Sequence, residues 1–278
     1  MNSTVGRKTS GRLLTWLGVI LVLGFSLFPV FIMVSTAVDA RANDGSRSLL
    51  PTQFTWEHFA FVLDEGGFTT YLRNSLVVAL ATVVVSGLVA LFASVAVARF
   101  RFRFRTSVLI MILVVQMVPM EALVIPLFLQ AKTLGLLDHL LGLVVVYVAF
   151  SLPFAIWTLR GFVAAIPIEI EEAAYVDGAS WSRMFWSILF PLVAPGLVAV
   201  SVFSFIVAWN EFIFAITFMN DQDRYTVAAG LRRFFTQYGT KWGAVMAGST
   251  LITVPVMLFF VAVQRRLSSG LSAGAVKG

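Results

Sequence analysis

"IPIEIEEAAYVDGASWSR", residues 166 to 183, decides how this chain is read. Four of its fourteen acidic residues, Glu169, Glu171, Glu172 and Asp177, fall within nine positions here, although 59% of the chain is hydrophobic. The local signals predict a short helix. Pro167 suits a first helical turn, and the early glutamates favour the positive end of the helix dipole. Asp177-Gly178 is a turn signal, and Ser180 can cap whatever helix follows. At about 100° per residue, Ile170, Ala173 and Ala174 share one face, while Ile168, Glu171, Glu172 and Tyr175 share the other. Two readings fit these faces. One is a solvated acidic linker; the other is a docking surface whose alanines allow close approach and whose carboxylates meet Arg or Lys of another protein. Acid–base catalysis is disfavoured, because adjacent Glu171 and Glu172 diverge by about 100° and no histidine or metal ligand in the segment completes a site.

On both sides of this segment the chain is apolar. Mean hydropathy is +0.91 and the charged fraction 12%, against about 25% in soluble domains, which predicts an all-α integral membrane protein. Uncharged stretches long enough to cross a bilayer core of about 30 Å run over 13–38, 74–98, 140–159, 184–210 and 243–263. A sixth, 106–131, is interrupted only by Glu121. Six transmembrane helices place both termini on one side. The chain has no cysteine and only His58 and His139, far apart, so no metal site, thiol nucleophile or cofactor is implied.

The basic residues orient the spans. With both termini in the cytoplasm, the inner segments hold twelve Lys and Arg and four acids, a net of +8, while the outer segments hold eight of each. The loop from Asp221 to Lys241 runs against the rule, with four cations outside. The expected organisation is a cytoplasmic N-terminus 1–12, a first span 13–36, an extracytoplasmic segment 37–73, a five-helix core 74–265 and a cytoplasmic tail 266–278. The first apolar stretch is about twice the length of a signal-peptide core and is read as a retained anchor. "ARFRFRFR" (98–105) is read as a tight inner turn, with Phe100, Phe102 and Phe104 in the headgroup layer and the arginines at lipid phosphates, rather than as a nucleic-acid patch.

Polar residues at membrane depth are costly and are taken as functional by default. Gln116 and Glu121 flank Pro119, which frees backbone groups near mid-span, so they are candidates for a polar translocation surface; interhelical hydrogen bonding is the competing reading. Asn210 and Glu211 are candidates for the same path, with the structural reading favoured because they lie near a span end. Trp157 and Trp209 are expected as interfacial anchors.

Glu172-Ala173-Ala174, three residues, Gly178, nine residues, then Ile188 and Pro191 resembles the EAA signature of permease subunits of binding-protein-dependent ABC importers. "RNSLVVA" (73–79), "VARFRFR" (97–103), "IPLFLQAKTLGLLD" (125–138), "LPFAIWTLRGF" (152–162), "AWNEF" (208–212) and "GLSAGAVKG" (270–278) are similar to its carbohydrate-uptake, maltose-permease-like branch. One departure is Phe190, where the signature usually has Leu. The resemblance implies a type I importer permease fold in a bacterial inner membrane. It also implies an EAA loop (about 166–191) forming a coupling helix that docks into a cytoplasmic ABC ATPase dimer. Its partners would include a second permease subunit, making a heterodimer, and an extracytoplasmic solute-binding protein, besides membrane lipid; no nucleic acid is expected. The coupling residues carried over are Glu171, Glu172, Ala173, Ala174, Asp177, Gly178, Ile188 and Pro191. The C-terminal tail is either a second ATPase contact or a frayed, Gly-rich end. No Gly-Lys pair occurs, so no phosphate loop is present and the chain is not expected to be an enzyme. Cargo stays open between a sugar or oligosaccharide and another solute. A secondary transporter would call for inverted repeats or clustered intramembrane acids, and neither is seen.

Overall fold

A chain in hydrocarbon must satisfy its backbone N–H and C=O groups internally, and this sequence does so with helices. The computed structural model describes residues 5–44, 49–64, 66–236 and 239–274, without the side chains of 5–14, 236 and 265–274. Arg47 and the tail end 275–278, with Lys277, lie outside the described residues. Five long apolar helices appear where spans are expected: α1 (Val5–Ala37), α3 (Phe68–Arg99), α6 (Leu140–Ala165), the run Trp181–Asn210, and α12 (Trp242–Gly274). A short helix, α2 (Glu57–Asp64), precedes α3.

The sixth expected span is not one rod. Helix α4 (Arg105–Gln116) stops before Pro119; a 3₁₀ turn over Met120–Leu123 follows, and α5 (Val124–Thr133) leaves at 94° to α4. Proline has no N–H to give and pushes the residue before it out of helical geometry, so Val118 and Pro119 end the helix. Mean hydropathy over 106–131 hides this break because most residues around it are apolar.

The chain divides into two compact units, residues 1–68 with 231–253 and residues 69–230 with 254–278. In the first, the stretch after α1 is tied by an isolated bridge between Asp39 and Phe54. The Asp39 carboxylate accepts from the Arg41 amide at 3.2 Å and the Thr52 hydroxyl at 3.0 Å. Strands β1 (Phe235–Thr236) and β2 (Gly239–Thr240) pair antiparallel ahead of α12. Gly243 leaves no room for a Cβ beside the His58 ring.

The second unit is built on α6 and α9 (Phe190–Asn210). Phe154 and Phe203 meet with centroids 4.0 Å apart, and Gly196 lets α9 approach so closely that a Cβ there would lie 2.5 Å from the Phe162 ring. Ser86 of α3 donates to Ser204 of α9 at 3.0 Å, satisfying two buried hydroxyls. Between α6 and α9 lie α7 (Ile168–Val176), a single turn α8 (Trp181–Met184) and a π-turn over Phe185–Leu189. The π-turn has a local cause: Pro191 lacks the N–H that an α-helix would aim at the Ser187 carbonyl. Helices α10 (Ile213–Phe218) and α11 (Val227–Leu231) follow. Leu91, Val95, Leu159, Val163, Phe185, Leu189 and Val193 form a fully or nearly fully buried cluster, with Ala174 of α7 at its edge.

Candidate functional site

Helix α7 forms as its residues predict, but with different faces. Pro167 is the N-cap rather than the first helical residue, and the helix ends at Asp177. There Gly178, at φ +79°, donates to Tyr175 O at 3.0 Å, while Ala179 donates to Ala174 O at 2.9 Å. This pair of bonds is the Schellman stop, which needs a left-handed residue and so favours glycine. Ser180 caps the next turn as expected, its hydroxyl accepting from the Arg183 amide at 3.3 Å.

The inward face of α7 is Glu171 and Ala174, three residues apart. Ala174 meets the apolar cluster, where Ile188 also packs. Glu171, expected on the exposed charged face, is instead buried at 7% exposure, and the Arg99 Nε donates to its Oε1 at 2.7 Å. Arg99 Nη2 also donates to Ile166 O, at the end of α6, at 2.8 Å. Expecting Glu171 to meet another protein is therefore corrected: a buried carboxylate needs a local partner, and the last residue of α3 supplies it. It follows that Arg99 does not sit at a lipid phosphate, unlike the expectation for its run. The outward face carries Glu169, Glu172, Ala173, Tyr175, Asp177 and Val176, the last 88% exposed. Ile170 and Ala173, expected beside Ala174 on one smooth face, are exposed. Pro191 lies in the first turn of α9.

The break between α4 and α5 opens a cavity of about 520 Å³ lined by Gln116, Glu121, Phe150, Phe154 and Phe203, among others. Gln116 and Glu121 thus share one space, as their flanking of Pro119 suggests. Asn210 and Glu211 are not among its described lining residues. Asn210 is exposed and donates to Ile206 O at 3.1 Å. Glu211 is buried, its oxygens accepting from the Tyr147 hydroxyl at 2.6 Å and the amides of Phe214 at 2.9 Å and Ala215 at 3.2 Å. Assigning Glu211 to a path is corrected, since it caps α10 and binds it to α6. Trp209 is 1% exposed and stacks on Phe205, so it is a core residue and not an interfacial anchor. Trp157 is partly exposed beneath the Arg160 guanidinium, 5.3 Å from the ring centroid.

Among the described residues no cluster of His, Cys, Asp or Glu is arranged to hold a metal. Residues 86–273, which include the break, α7 and its glycine stop, match the family described as the binding-protein-dependent transport system inner membrane component. The chain belongs to this family. Over 262 residues it is 40% identical to the diacetylchitobiose uptake system permease protein DasC of Streptomyces coelicolor, covering 94% of this chain and 95% of that one. It is 34% identical to the trehalose transport system permease protein SugB of Mycobacterium tuberculosis, over 93% and 95%. In fold it is similar to a chain of a bacterial ABC transporter that imports the acidic polysaccharide alginate, with a TM-score of 0.78, 22% identity, and coverage of 95% and 99%. This permease is accordingly an integral, multi-pass membrane component, and its family is one of transport subunits rather than enzymes.

The partners of the buried carboxylates Glu171 and Glu211 in this permease escaped sequence reading. Arg99 looks like one of four arginines at a turn, but it is the last residue of α3. Tyr147 looks like one more aromatic in an apolar span. Only long-range pairing, 72 residues to Glu171 and 64 to Glu211, sets either apart.

Proposed function

We propose that the chain is the permease subunit of an ATP-driven importer for a sugar or oligosaccharide, coupled through α7 to a separate cytoplasmic ATPase dimer. The observation that carries this reading is the division of α7. One face is held to its own protein by Glu171 and Ala174, leaving Glu172, Ala173 and Val176 outward and exposed. A helix so divided suits a partner that offers cations and an apolar seat. Glu172 would meet an ATPase Arg or Lys, Ala173 would allow close approach, and Gly178 with Asp177 would set the helix end. Ile188 and Pro191 would carry motion into α9.

Sugar as cargo is supported by the names of the relatives, which transport diacetylchitobiose and trehalose. It is supported also by the 520 Å³ cavity, where aromatic rings beside Glu121 and Gln116 suit the apolar faces and hydroxyls of a sugar ring. In this reading both termini are cytoplasmic, a second permease completes the pathway, and an external binding protein delivers cargo. The distribution of basic residues supports that orientation.

Purification through a tag on this chain tests the partners, and uptake of a labelled sugar panel in a strain deleted for it tests the cargo. An ATPase, a second permease and loss of one sugar's uptake are expected. Normal uptake of every sugar in the deletion strain would exclude the proposed cargo class.

A further inference from the structure

The guanidinium of Arg99 stands where three helices end. It is the last residue of α3; its Nε donates to Glu171 in α7 at 2.7 Å, and its Nη2 donates to the Ile166 carbonyl that closes α6 at 2.8 Å. Both side chains of the pair are largely sequestered, at 14% and 9% exposure, and among the described residues this is the one ion pair. The planar fork of arginine can serve two acceptors on different helices at once, which an ammonium does less well. A cation also suits the free carbonyls at a helix C-terminus. Ala174, one turn beyond Glu171, seats α7 in the cluster formed by Val95, Leu159 and Val163.

From this geometry we propose that Arg99 is a positioning residue of transport: it clamps α7 to the ends of α3 and α6, so that displacement of α7 moves those spans instead of being absorbed at the Ile166-Pro167 joint. At that joint Ile166 and Pro167 leave helical geometry and interrupt the rod between α6 and α7. The proposal rests on the reading of α7 as the ATPase-docking helix. It assigns Glu171 an internal role and leaves Glu172 as the outward carboxylate.

The chain has no cysteine, so paired spin labels can be placed at Ala96→Cys on α3 and Ile170→Cys on α7, both exposed and neither assigned to the docking face. In the purified importer complex, the label-to-label distance is measured without nucleotide and after trapping with ATP and vanadate. With Arg99 present, one narrow distribution of unchanged mean is expected in both states, because the elements move together. Arg99→Ala should give a broadened or second distribution after trapping, while ATP turnover by the bound ATPase persists. Arg99→Lys, which keeps the ion pair, should recover most of the narrow distribution; Glu171→Gln should lie between Lys and Ala. If Arg99→Ala is not recovered from membranes, Glu171→Gln decides. Distributions in Arg99→Ala and Glu171→Gln indistinguishable from the unsubstituted chain, or Arg99→Lys as broad as Arg99→Ala, overturn the clamp. Failure of the docking reading is a separate result: no ATPase then co-purifies with the unsubstituted chain.

Discussion

Tyr147 on α6 donates its hydroxyl to Glu211 at 2.6 Å, and the same carboxylate accepts two amides at the start of α10. Glu211 therefore fixes one helix to another and caps the second. Removing the tyrosine hydroxyl leaves a buried carboxylate short of a donor, at a cost of about 1–3 kcal/mol. Tyr147→Phe should lower the melting temperature of the detergent-purified chain, and Glu211→Ala should lower it further because the α10 amides lose their acceptor. Equal melting of Glu211→Ala and the unsubstituted chain would show that these bonds do not hold α10.

The left-handed geometry at Gly178 makes a second expectation. A Cβ-bearing residue at φ +79° costs about 1–2 kcal/mol, less for asparagine, which tolerates that region. Nothing crowds Gly178 within 4 Å, so strain is confined to the backbone. Gly178→Val should impair uptake far more than Gly178→Asn at equal membrane levels, as measured by transport of the accepted sugar. Matching losses in the two variants would point to sterics instead of backbone angle.

Close approach of α6 and α9 depends on Gly196. A Cβ there would lie 2.5–2.6 Å from two atoms of the Phe162 ring, near its root as well as its flank, so the ring cannot simply swing clear. Gly196→Ala should destabilise by about 1–3 kcal/mol through overpacking. Pairing it with Phe162→Leu should recover part of that loss, and thermal unfolding of the two variants checks the coupling.

Asp138, in the loop before α6, is held below the usual carboxylate range. The Asp221 amide is the largest cause; burial opposes it, and the Asn220 amide and side chain and nearby His139 reinforce it. A carboxyl with a lowered folded pKa adds stability that is present above its unfolded value, near pH 4, and lost as pH falls through the folded value. Amide exchange at Asn220 and Asp221 should therefore accelerate in acid. Asp138→Asn should remove that pH dependence, since asparagine accepts φ +58° but does not titrate.

Sequence alone settled the membrane class, five of the spans, Pro119 as a point of freed backbone groups, the short acidic helix and its glycine stop. Each of these follows from local chemistry: run length of apolar residues, proline's missing N–H, and the backbone freedom of glycine. Gln116 and Glu121 were legible for the same reason, being polar residues at membrane depth on either side of Pro119. Tertiary structure decided which carboxylates face outward. Periodicity put Glu171 and Glu172 on one face, yet Arg99 draws Glu171 inward, and Tyr147 does the same for Glu211. A helix wheel ranks positions by the polarity of their own side chains. Whether a charge can be buried depends on a counter-charge or donor arriving from 60 or more residues away, and that is set only when the helices pack.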